Sequence, residues 1–177
     1  MRYAIYRIHY GLDFLGKSIE SVIDQVDQIF VFWSKQPWYK KCQNLPPLNE
    51  NVLEFCKKYD KVIVIEKEFD LPENQFKKMY DIVASEYSKP DQVLMMEPDM
   101  VWDKEKLKEI WKLENKEISF NQIEFWKNEQ WYIKRDRPGP TLYNGTVNST
   151  LKGCWGDKRK THDTIKCFNY GFCLSPE

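Results

Sequence analysis

Val93-Leu94-Met95-Met96, a short apolar run, is followed directly by Glu97-Pro98-Asp99. An apolar run of this length, with turn residues beyond it, is typical of a strand that is buried on both faces. Side chains at positions i and i+2 of a strand point to the same side. The carboxylates of Glu97 and Asp99 are therefore predicted to converge on one spot just beyond the end of the strand.

Upstream of this run, the sequence alternates between strand-like and helix-like segments. Strands are predicted to start near residues 3, 28, 61 and 92, a spacing of about 30 residues that is typical of βαβ units. Between them, apolar residues recur at helical spacing in segments 12–26, 52–59 and 76–87, and a fourth helix is predicted at 107–111, started by Asp103. This order predicts an α/β fold with a mostly parallel central sheet flanked by helices, whose ligands bind beyond the carboxyl ends of the strands.

After about residue 116 the pattern changes. Segments 118–126 and 131–134 are predicted to be strands, 135–140 (Arg-Asp-Arg-Pro-Gly-Pro) a turn or loop, and the chain from Thr141 irregular until a strand-like run at 170–174. We interpret residues 1–177 as a single domain, in which 1–115 form the parallel half and 116–177 a mixed or antiparallel half. The chain stops soon after the last run, which is expected of a shortened or truncated version of such a fold.

The composition excludes several classes of protein. Lys plus Arg and Asp plus Glu both number 27, so the formal net charge is zero, and a nucleic-acid partner gripped through its phosphates is not expected. No segment approaches about 18 consecutive apolar residues, and the N-terminus lacks a signal-peptide pattern, so neither a transmembrane segment nor export is expected. The five cysteines form no CxxC pair, and we expect reduced thiols in a cytoplasmic protein.

Two carboxylates at the end of a strand suit a hard divalent cation. Mg²⁺ is usually held by one or two carboxylates together with substrate phosphates, and Mn²⁺ accepts the same ligands. A cation there would stabilise a diphosphate as a leaving group. The alternative is that Glu97 and Asp99 are solvated residues at a strand end that begin the next helix, as Asp103 does.

Two segments resemble family 2 glycosyltransferases. Residues 14–25 (Phe-Leu-Gly-Lys-Ser-Ile-Glu-Ser-Val-Ile-Asp-Gln) are similar to the first helix of that family, and this segment follows a strand that ends in His9-Tyr10. Residues 93–101 are similar to the family's strand that ends in an Asp-x-Asp motif, here in the form Glu-x-Asp. The order and spacing of the two segments agree with the family. The resemblance covers roughly residues 1–115.

This resemblance implies a glycosyltransferase A fold and the transfer of a sugar from a nucleotide-diphosphate donor, a UDP- or GDP-sugar, to a glycan or other hydroxyl acceptor. Mn²⁺ or Mg²⁺ would be the cofactor. Residues 1–115 would bind the nucleotide sugar, and residues 116–177 would lie on the acceptor side. Asp99 would be the direct metal ligand, and Glu97 would face the ribose or the water shell of the metal.

Residues at the ends of other strands are also predicted to contact the ligand. His9, Tyr10, Ser34 and Glu66 lie at the ends of strands and are predicted to contact the nucleotide sugar. The alternative for Glu66 is an exposed charge at a strand end, and the alternative for His9 is a structural role. Many family members carry an acidic residue after the second strand, where this chain has Phe-Trp-Ser-Lys at 32–35, so the nucleotide stays unidentified.

Several glycosyltransferases of this fold add a late His to the metal shell, so the resemblance implies this role for His162, and neutral imidazole is a common metal ligand. The alternative is a solvated loop residue. The neighbouring cations at 158–160 (Lys-Arg-Lys) would then offset the charge of the diphosphate or simply be solvated.

The catalytic base is not assigned. A base must lie within hydrogen-bond reach of the acceptor hydroxyl, and the late acids Asp157, Asp163 and Glu177 lack the family's local context. Aromatic rings stack on sugars. The late aromatic residues are therefore predicted either to bind the acceptor or to pack in the core, and they are Phe125, Trp126, Trp131, Tyr132, Tyr143 and Trp155. The rival functions are a nucleotide-sugar-binding remnant without activity and, with less support because Gly11 stands alone after the first strand, a nucleotidyltransferase.

Overall fold

The computed structural model describes residues 1–9, 11–35, 51–69, 75–133, 138–145 and 161–173, with backbone alone at 126–133, 138, 161–164 and 171–173. Eight strands belong to one sheet in the order β3-β2-β1-β4-β7-β6-β8-β5. The strands are β1 Arg2–Ile8, β2 Gln28–Trp33, β3 Val62–Glu66, β4 Gln92–Met96, β5 Met100–Val101, β6 Glu117–Ile133, β7 Pro138–Asn144 and β8 Thr161–Cys173. The helices are α1 Leu12–Val22, followed by a 3₁₀ turn at Ile23–Gln25, α2 Val52–Cys56, α3 Gln75–Glu86 and α4 Lys104–Ile110.

The parallel half agrees with the prediction. β2, β1 and β4 start at Gln28, Arg2 and Gln92, and β3 follows at Val62. β1 pairs in parallel with β2 and with β4, and β2 pairs in parallel with β3. The predicted parallel sheet is thereby confirmed.

Helices cover both faces of this sheet because the strands are apolar on both. On one face Ala4, Tyr6 and Ile8 of β1 belong to the larger core, together with residues of α1, α2 and α4. On the other face, Tyr3 and Ile5 pack with Phe76, Met79, Tyr80 and Val83 of α3. The alternation along β1 is the period of two that a strand imposes on its side chains.

The second half is more regular than the sequence predicts. The two strands predicted at 118–126 and 131–134 form one strand, β6, and the segment from Thr141, predicted to be irregular, continues β7 to Asn144 and later forms β8. β7 pairs antiparallel with both β4 and β6, so it lies inside the sheet rather than in a loop. The predicted mixed C-terminal part is therefore confirmed, whereas the predicted irregular segment is wrong at 141–144 and 161–169.

The predicted loop at 135–140 is also wrong where the structure describes it, since Pro138 to Pro140 begin β7. Proline is tolerated at the first residues of a strand. Gly139 is needed there for space: a Cβ atom would lie 2.9 Å from Gln122 Oε1 and 3.2 Å from the Phe120 carbonyl oxygen. The residues that look like a turn thus permit close packing of β7 against β6.

The sheet has to curl. β4 and β5 are four strand spacings apart in the sheet order, which is about 19 Å in a flat sheet. Only Glu97-Pro98-Asp99 joins them, and four Cα steps span at most about 15 Å. Strands β7, β6 and β8 must therefore bend around toward α1, and the acidic segment crosses the opening between the two ends of the curl.

Candidate active site at the carboxyl ends of the parallel strands

Glu97-Pro98-Asp99 lies where the sequence predicts, directly after β4 and before β5. The Met100 N–H donates to the Glu97 carbonyl oxygen at 3.1 Å, which closes a tight turn around the two acids. At its other side, Gly11 approaches Pro98 so closely that a Cβ atom on Gly11 would lie 3.1 Å from Pro98 Cγ. Gly11 has φ 101° and begins α1, and glycine adopts this left-handed backbone at little cost.

Glu97 is held by a buried arginine. Arg7 Nε donates to Glu97 Oε1 at 3.1 Å, and Arg7 Nη2 donates to the same oxygen. Arg7 Nη1 donates to Gln75 Oε1 at 3.2 Å, and the guanidinium lies 4.8 Å from the centre of the Phe76 ring. Neither bond to Glu97 uses Oε2. The arginine thus fixes one oxygen of this carboxylate and leaves the other to point elsewhere.

Asp99 is the second acid of the turn, and one of its oxygens is enclosed. Asp99 Oδ1 is inaccessible to solvent and has no hydrogen-bond partner within the described part of the chain. Burial, together with the neighbouring Glu97 carboxylate, raises the pKa of the Asp99 carboxyl to about 7, while Asn169 and Arg7 act in the opposite direction. A buried acceptor without a donor is costly, so this oxygen is well suited to a ligand.

The chemistry of these donors fits a divalent cation bound together with a diphosphate. No three His, Cys, Asp or Glu side chains gather into a metal-holding group among the described residues. A fully protein-made metal cage is therefore not built from them. Mg²⁺ and Mn²⁺ do not need one, because one or two carboxylates and substrate phosphates are the usual ligands. Asp99 Oδ1 and Glu97 Oε2 are the oxygens that fit this requirement.

On the far side of β1, His9 and Ser34 are brought together as neighbours. His9 Nδ1 lies 2.7 Å from the Ser34 carbonyl oxygen, and the Ser34 N–H donates to the Ile8 carbonyl oxygen at 3.1 Å. Ser34 Oγ donates to Glu68 Oε2 at 2.6 Å, and the Lys35 N–H donates to Glu68 Oε1 at 2.9 Å. Glu68 therefore holds the end of β2. It was not predicted as a site residue, because it lies in a polar segment two residues after the end of β3.

Glu66 and the backbone of His162 lie away from Asp99. Glu66 ends β3, three strand spacings or about 14 Å from β4, and it forms an exposed ion pair with Lys35 at 2.8 Å. His162 pairs with Phe120, four residues before Glu124, whose partner is Asn169. About 13 Å of strand separates those positions, so the register does not bring the His162 backbone to Asp99.

Several other predicted residues cannot be compared with the site. Tyr10, Asp157, Trp155, Glu177 and the cations at 158–160 lie outside the described residues, as do the side chains of Trp126, Trp131, Tyr132, His162 and Asp163. Tyr143 is buried in the core against α3. Of the two roles predicted for Tyr143, core packing is therefore the one that the structure supports.

A polar network connects Asp99 to the second half of the chain. The Asn169 side chain interacts with the Asp99 carboxyl, and Asn169 Nδ2 donates to Gln122 Oε1 at 3.4 Å. Gln122 Nε2 in turn donates to Glu124 Oε1 at 2.9 Å. Glu124 is a buried carboxylate on β6. The network couples the position of the acid turn to β6 and β8.

The helix that resembles family 2 glycosyltransferases holds the segment after the acids. Ser18 Oγ donates to the Met100 carbonyl oxygen, and Ser21 Oγ accepts from the Trp102 N–H at 3.2 Å. Gln25 Nε2 donates to the Lys104 carbonyl oxygen at 2.7 Å. The two sequence segments that carry the resemblance therefore contact each other, and α1 fixes the chain where it leaves the acid turn.

The curled α/β sheet, with paired acids at the carboxyl end of a central parallel strand, defines a protein of the nucleotide-sugar transferase class. The chain belongs to the family described as beta-1,4-N-acetylgalactosaminyltransferase (CgtA), whose model matches residues 3–151. The predicted membership of a glycosyltransferase family is confirmed. No match was found among curated protein sequences.

The fold is similar to two solved structures. One is TarS 1-349 of S. aureus, with 14% identity and a TM-score of 0.51 over 81% of this chain and 47% of that chain. Another is a putative glucose-1-phosphate thymidylyltransferase from Bacillus anthracis in complex with a sucrose, with 8% identity and a TM-score of 0.50 over 81% of this chain and 72% of that chain. The present chain thus spans less than half the length of the TarS chain. These identities show the fold alone, and the predicted glycosyltransferase A type of fold is confirmed.

The expectations about membrane-spanning segments and about the cysteines can be compared with the described residues. None of the helices in the described ranges combines the length and the apolar character that crossing a bilayer requires. Cys56 and Cys167 are free, buried thiols, and burial raises the pKa of both.

Proposed function

We propose that this chain is a metal-dependent glycosyltransferase that moves a sugar from a nucleotide-diphosphate donor to a hydroxyl acceptor. Membership of a glycosyltransferase family supports the reaction class. The observation that carries the proposal is the enclosed Asp99 Oδ1, a buried acceptor without a donor at the position of the family's acidic motif. The family's description makes N-acetylgalactosamine the first sugar to test. We keep a cytoplasmic location as part of the proposal, because the cysteines follow no disulfide pattern.

Asp99 is proposed to hold Mn²⁺ or Mg²⁺ together with the diphosphate of the donor, and Glu97 Oε2 to face the ribose or the water shell of the metal. The cation would supply the positive charge that stabilises the departing diphosphate. Arg7 keeps the Glu97 carboxylate in one orientation through Oε1. Because Arg7 is buried and also bonded to Gln75, its charge is fixed in place before any ligand arrives.

The nucleotide is proposed to lie along the ends of β1 and β2. His9 and Ser34 are fixed there by mutual contact and by Glu68, so their orientation is set by the fold. We keep UDP and GDP as the candidate nucleotides. Glu66 remains a proposed ribose contact at the outer end of the same edge, since a nucleoside diphosphate is long enough to cross several strands.

The test is calorimetric titration with UDP, GDP, UDP-N-acetylgalactosamine and GDP-sugars, with and without Mn²⁺. Asp99→Asn removes the charged ligand but keeps the shape of the side chain. It also relieves repulsion from Glu97, so the variant is expected to fold. Donor affinity in Mn²⁺ should fall by at least about 10- to 100-fold, the range found when residues that merely support metal ligands are lost.

Asp103→Asn is the matched control. It makes the same substitution four residues along the chain, where Asp103 caps α4 by accepting from the N–H groups of Glu105 and Lys106. Asparagine caps a helix as well as aspartate does, so this variant should bind like the wild type. Equal donor affinity in Asp99→Asn and the wild type would refute the metal site. Binding without sugar transfer would establish the nucleotide-sugar-binding remnant instead of the enzyme.

A further inference from the structure

A line of buried polar side chains leads from the acid turn into the second half of the chain. Asn169 on β8 and Gln122 and Glu124 on β6 are only 6%, 5% and 1% exposed, respectively. The parallel pairing of β6 with β8 places Glu124 beside Asn169 and Gln122 beside Cys167, so these side chains share one face of the sheet. Polar groups are costly to bury unless they form hydrogen bonds. Their hydrogen bonds are therefore expected to decide how they are arranged.

Glu124 sets the direction in which the two amides donate. An ionised carboxylate only accepts hydrogen bonds, whereas a side-chain amide has one donating and one accepting end. Gln122 Nε2 donates to Glu124 Oε1 at 2.9 Å, so Gln122 Oε1 faces the other way and accepts from Asn169 Nδ2 at 3.4 Å. Asn169 Nδ2 has a second hydrogen, and the Asn169 side chain forms a hydrogen bond with the Asp99 carboxyl. Asp99 therefore meets the donating end of Asn169.

The backbone of β7 also restricts the Gln122 amide. A Cβ atom on Gly139 would lie 2.9 Å from Gln122 Oε1 and 3.2 Å from Gln122 Cβ. A residue without a side chain is needed for this approach, so the Gly139 backbone packs directly against the Gln122 side chain. The amide that connects Glu124 to Asn169 is thus held by a hydrogen bond at each end and by packing along its side.

We propose that Asn169 is a positioning residue for the metal ligand Asp99, and that Glu124 acts on Asn169 through Gln122. The inference rests on the function proposed above. Asp99 lies beside the like charge of Glu97, which repels it. An amide donor holds the Asp99 carboxylate in place without adding a positive charge, whereas a lysine or arginine in its position would repel the incoming cation.

Arg7 and Asn169 then hold the two acids of the turn in different ways. Arg7 forms an ion pair with Glu97 and so compensates its charge. Asn169 is neutral and leaves the charge of Asp99 to be compensated by a ligand. This difference agrees with Asp99 as the direct ligand of the metal and Glu97 as the more distant acid.

The first experiment measures the binding of UDP and GDP by calorimetry, with and without Mn²⁺. Asn169→Leu keeps the approximate size of the side chain and removes the donor. In Mn²⁺, the affinity for the nucleotide that the wild type binds should fall about 10- to 100-fold, the range found when a residue that supports a metal ligand is lost. Without Mn²⁺ the affinity should stay the same. A merely structural role would lower both affinities equally, and that result would overturn the proposal.

Glu124→Gln tests the action at a distance and serves where Asn169→Leu does not fold. It keeps the shape of the side chain but can donate as well as accept, so Gln122 and Asn169 lose their fixed direction. The affinity in Mn²⁺ should fall about 2- to 10-fold, which corresponds to one hydrogen bond. Glu117→Gln is the matched control on the same strand, where Glu117 accepts from the Tyr143 hydroxyl, and it should bind like the wild type. Wild-type affinity in Glu124→Gln overturns the role of Glu124.

NMR of the side-chain amides in the ¹⁵N-labelled chain tests the same connection without nucleotide or metal. Glu124→Gln should shift the Asn169 signal. It should leave the signal of Asn144, which donates to the Leu113 and Asn115 carbonyl oxygens. An unshifted Asn169 signal overturns the connection. If the wild type binds neither nucleotide, the proposed function is wrong and the role toward a metal ligand falls with it. If the wild type binds and Asn169→Leu binds equally well in Mn²⁺, this inference alone is overturned.

Discussion

The ion pair between Arg7 and Glu97 offers a direct test of how the acid turn is held. Arg7→Met keeps most of the length of the side chain but removes the charge. The change leaves the Glu97 carboxylate, whose side chain is only 22% exposed, without its cation, and Gln75 Oε1 without its donor. Removing one partner of a buried ion pair typically costs about 3–5 kcal/mol. Because Glu97 retains some contact with water, we expect the lower end, about 3 kcal/mol of unfolding free energy.

A second change removes the other partner of the ion pair. Glu97→Leu in the Arg7→Met background removes the stranded charge, so most of the loss should be recovered. Gln75 remains without a partner for Oε1 in the double variant, which is expected to cost about 1 kcal/mol. Adding Glu97→Leu to Arg7→Met should thus recover about 2 kcal/mol of unfolding free energy. The double variant is predicted to be more stable than Arg7→Met alone, although it carries more substitutions.

Urea denaturation at pH 7 measures these quantities. A loss of about 3 kcal/mol corresponds to a fall of roughly 6–12 °C in the thermal midpoint for a chain of this size. Lys104→Met is the control, because it breaks the exposed ion pair with Asp24. Exposed ion pairs contribute little to stability, so the urea midpoint of this variant should equal that of the wild type. Should Arg7→Met unfold at the same urea concentration as the wild type, or the double variant be the least stable of all, the argument that Arg7 compensates a buried carboxylate is wrong.

Two further substitutions test how α1 is joined to the acid turn. Ser21→Ala leaves the buried N–H of Trp102 without an acceptor and should lower the unfolding free energy by about 1–3 kcal/mol in urea denaturation; a change too small to measure would show that water replaces the hydroxyl. Gly11→Ala and Gly145→Ala both place alanine at positive φ and should each cost at least about 1 kcal/mol. Only Gly11 has a close neighbour, Pro98, so Gly11→Ala should be the less stable of the two by thermal denaturation, and equal midpoints would contradict this contact.

The parallel half could be predicted from the sequence because its local and tertiary signals agree. Strands such as Val62–Glu66 are apolar on both faces, and the helices between them repeat apolar residues at helical spacing. Each βαβ unit also brings neighbours in sequence close together in the sheet. The positions of strand starts follow from this alternation to within about one residue.

The second half could not be predicted because its strands are buried without being apolar. Ser119, Asn121, Gln122 and Thr141 are all buried in β6 and β7. Ser119 Oγ and Thr141 Oγ1 form a hydrogen bond at 3.0 Å, and Gln122 Nε2 donates to Glu124 Oε1. Polar residues of this kind read as loop in a sequence. Pairing of β7 between β4 and β6 is a long-range contact that no local pattern encodes.

The site shows the same division. Glu97 and Asp99 were predicted from their spacing at the end of a strand, which depends on local geometry alone. Arg7, Glu68 and Asn169 were missed, because each acts on a residue far away in the chain. A signal for Arg7 was present: it occupies a position in β1 in line with Tyr3 and Ile5, where a charge is buried only if it is paired. Its partner could not be identified without the parallel pairing of β1 with β4.

The contacts of α1 explain why the two family-like segments occur together. Ser18 and Ser21 touch no part of the acid pair itself; they bond to Met100 and Trp102, the residues that lead away from it. Arg7 holds Glu97 from β1, and the Tyr170 N–H holds the Asp99 carbonyl oxygen from β8. A turn that carries two neighbouring carboxylates would otherwise open to separate their charges. The polar residues of α1 are therefore best understood as the fixed support of the turn, and their spacing follows from the geometry of a helix lying across β5 rather than from contact with a ligand.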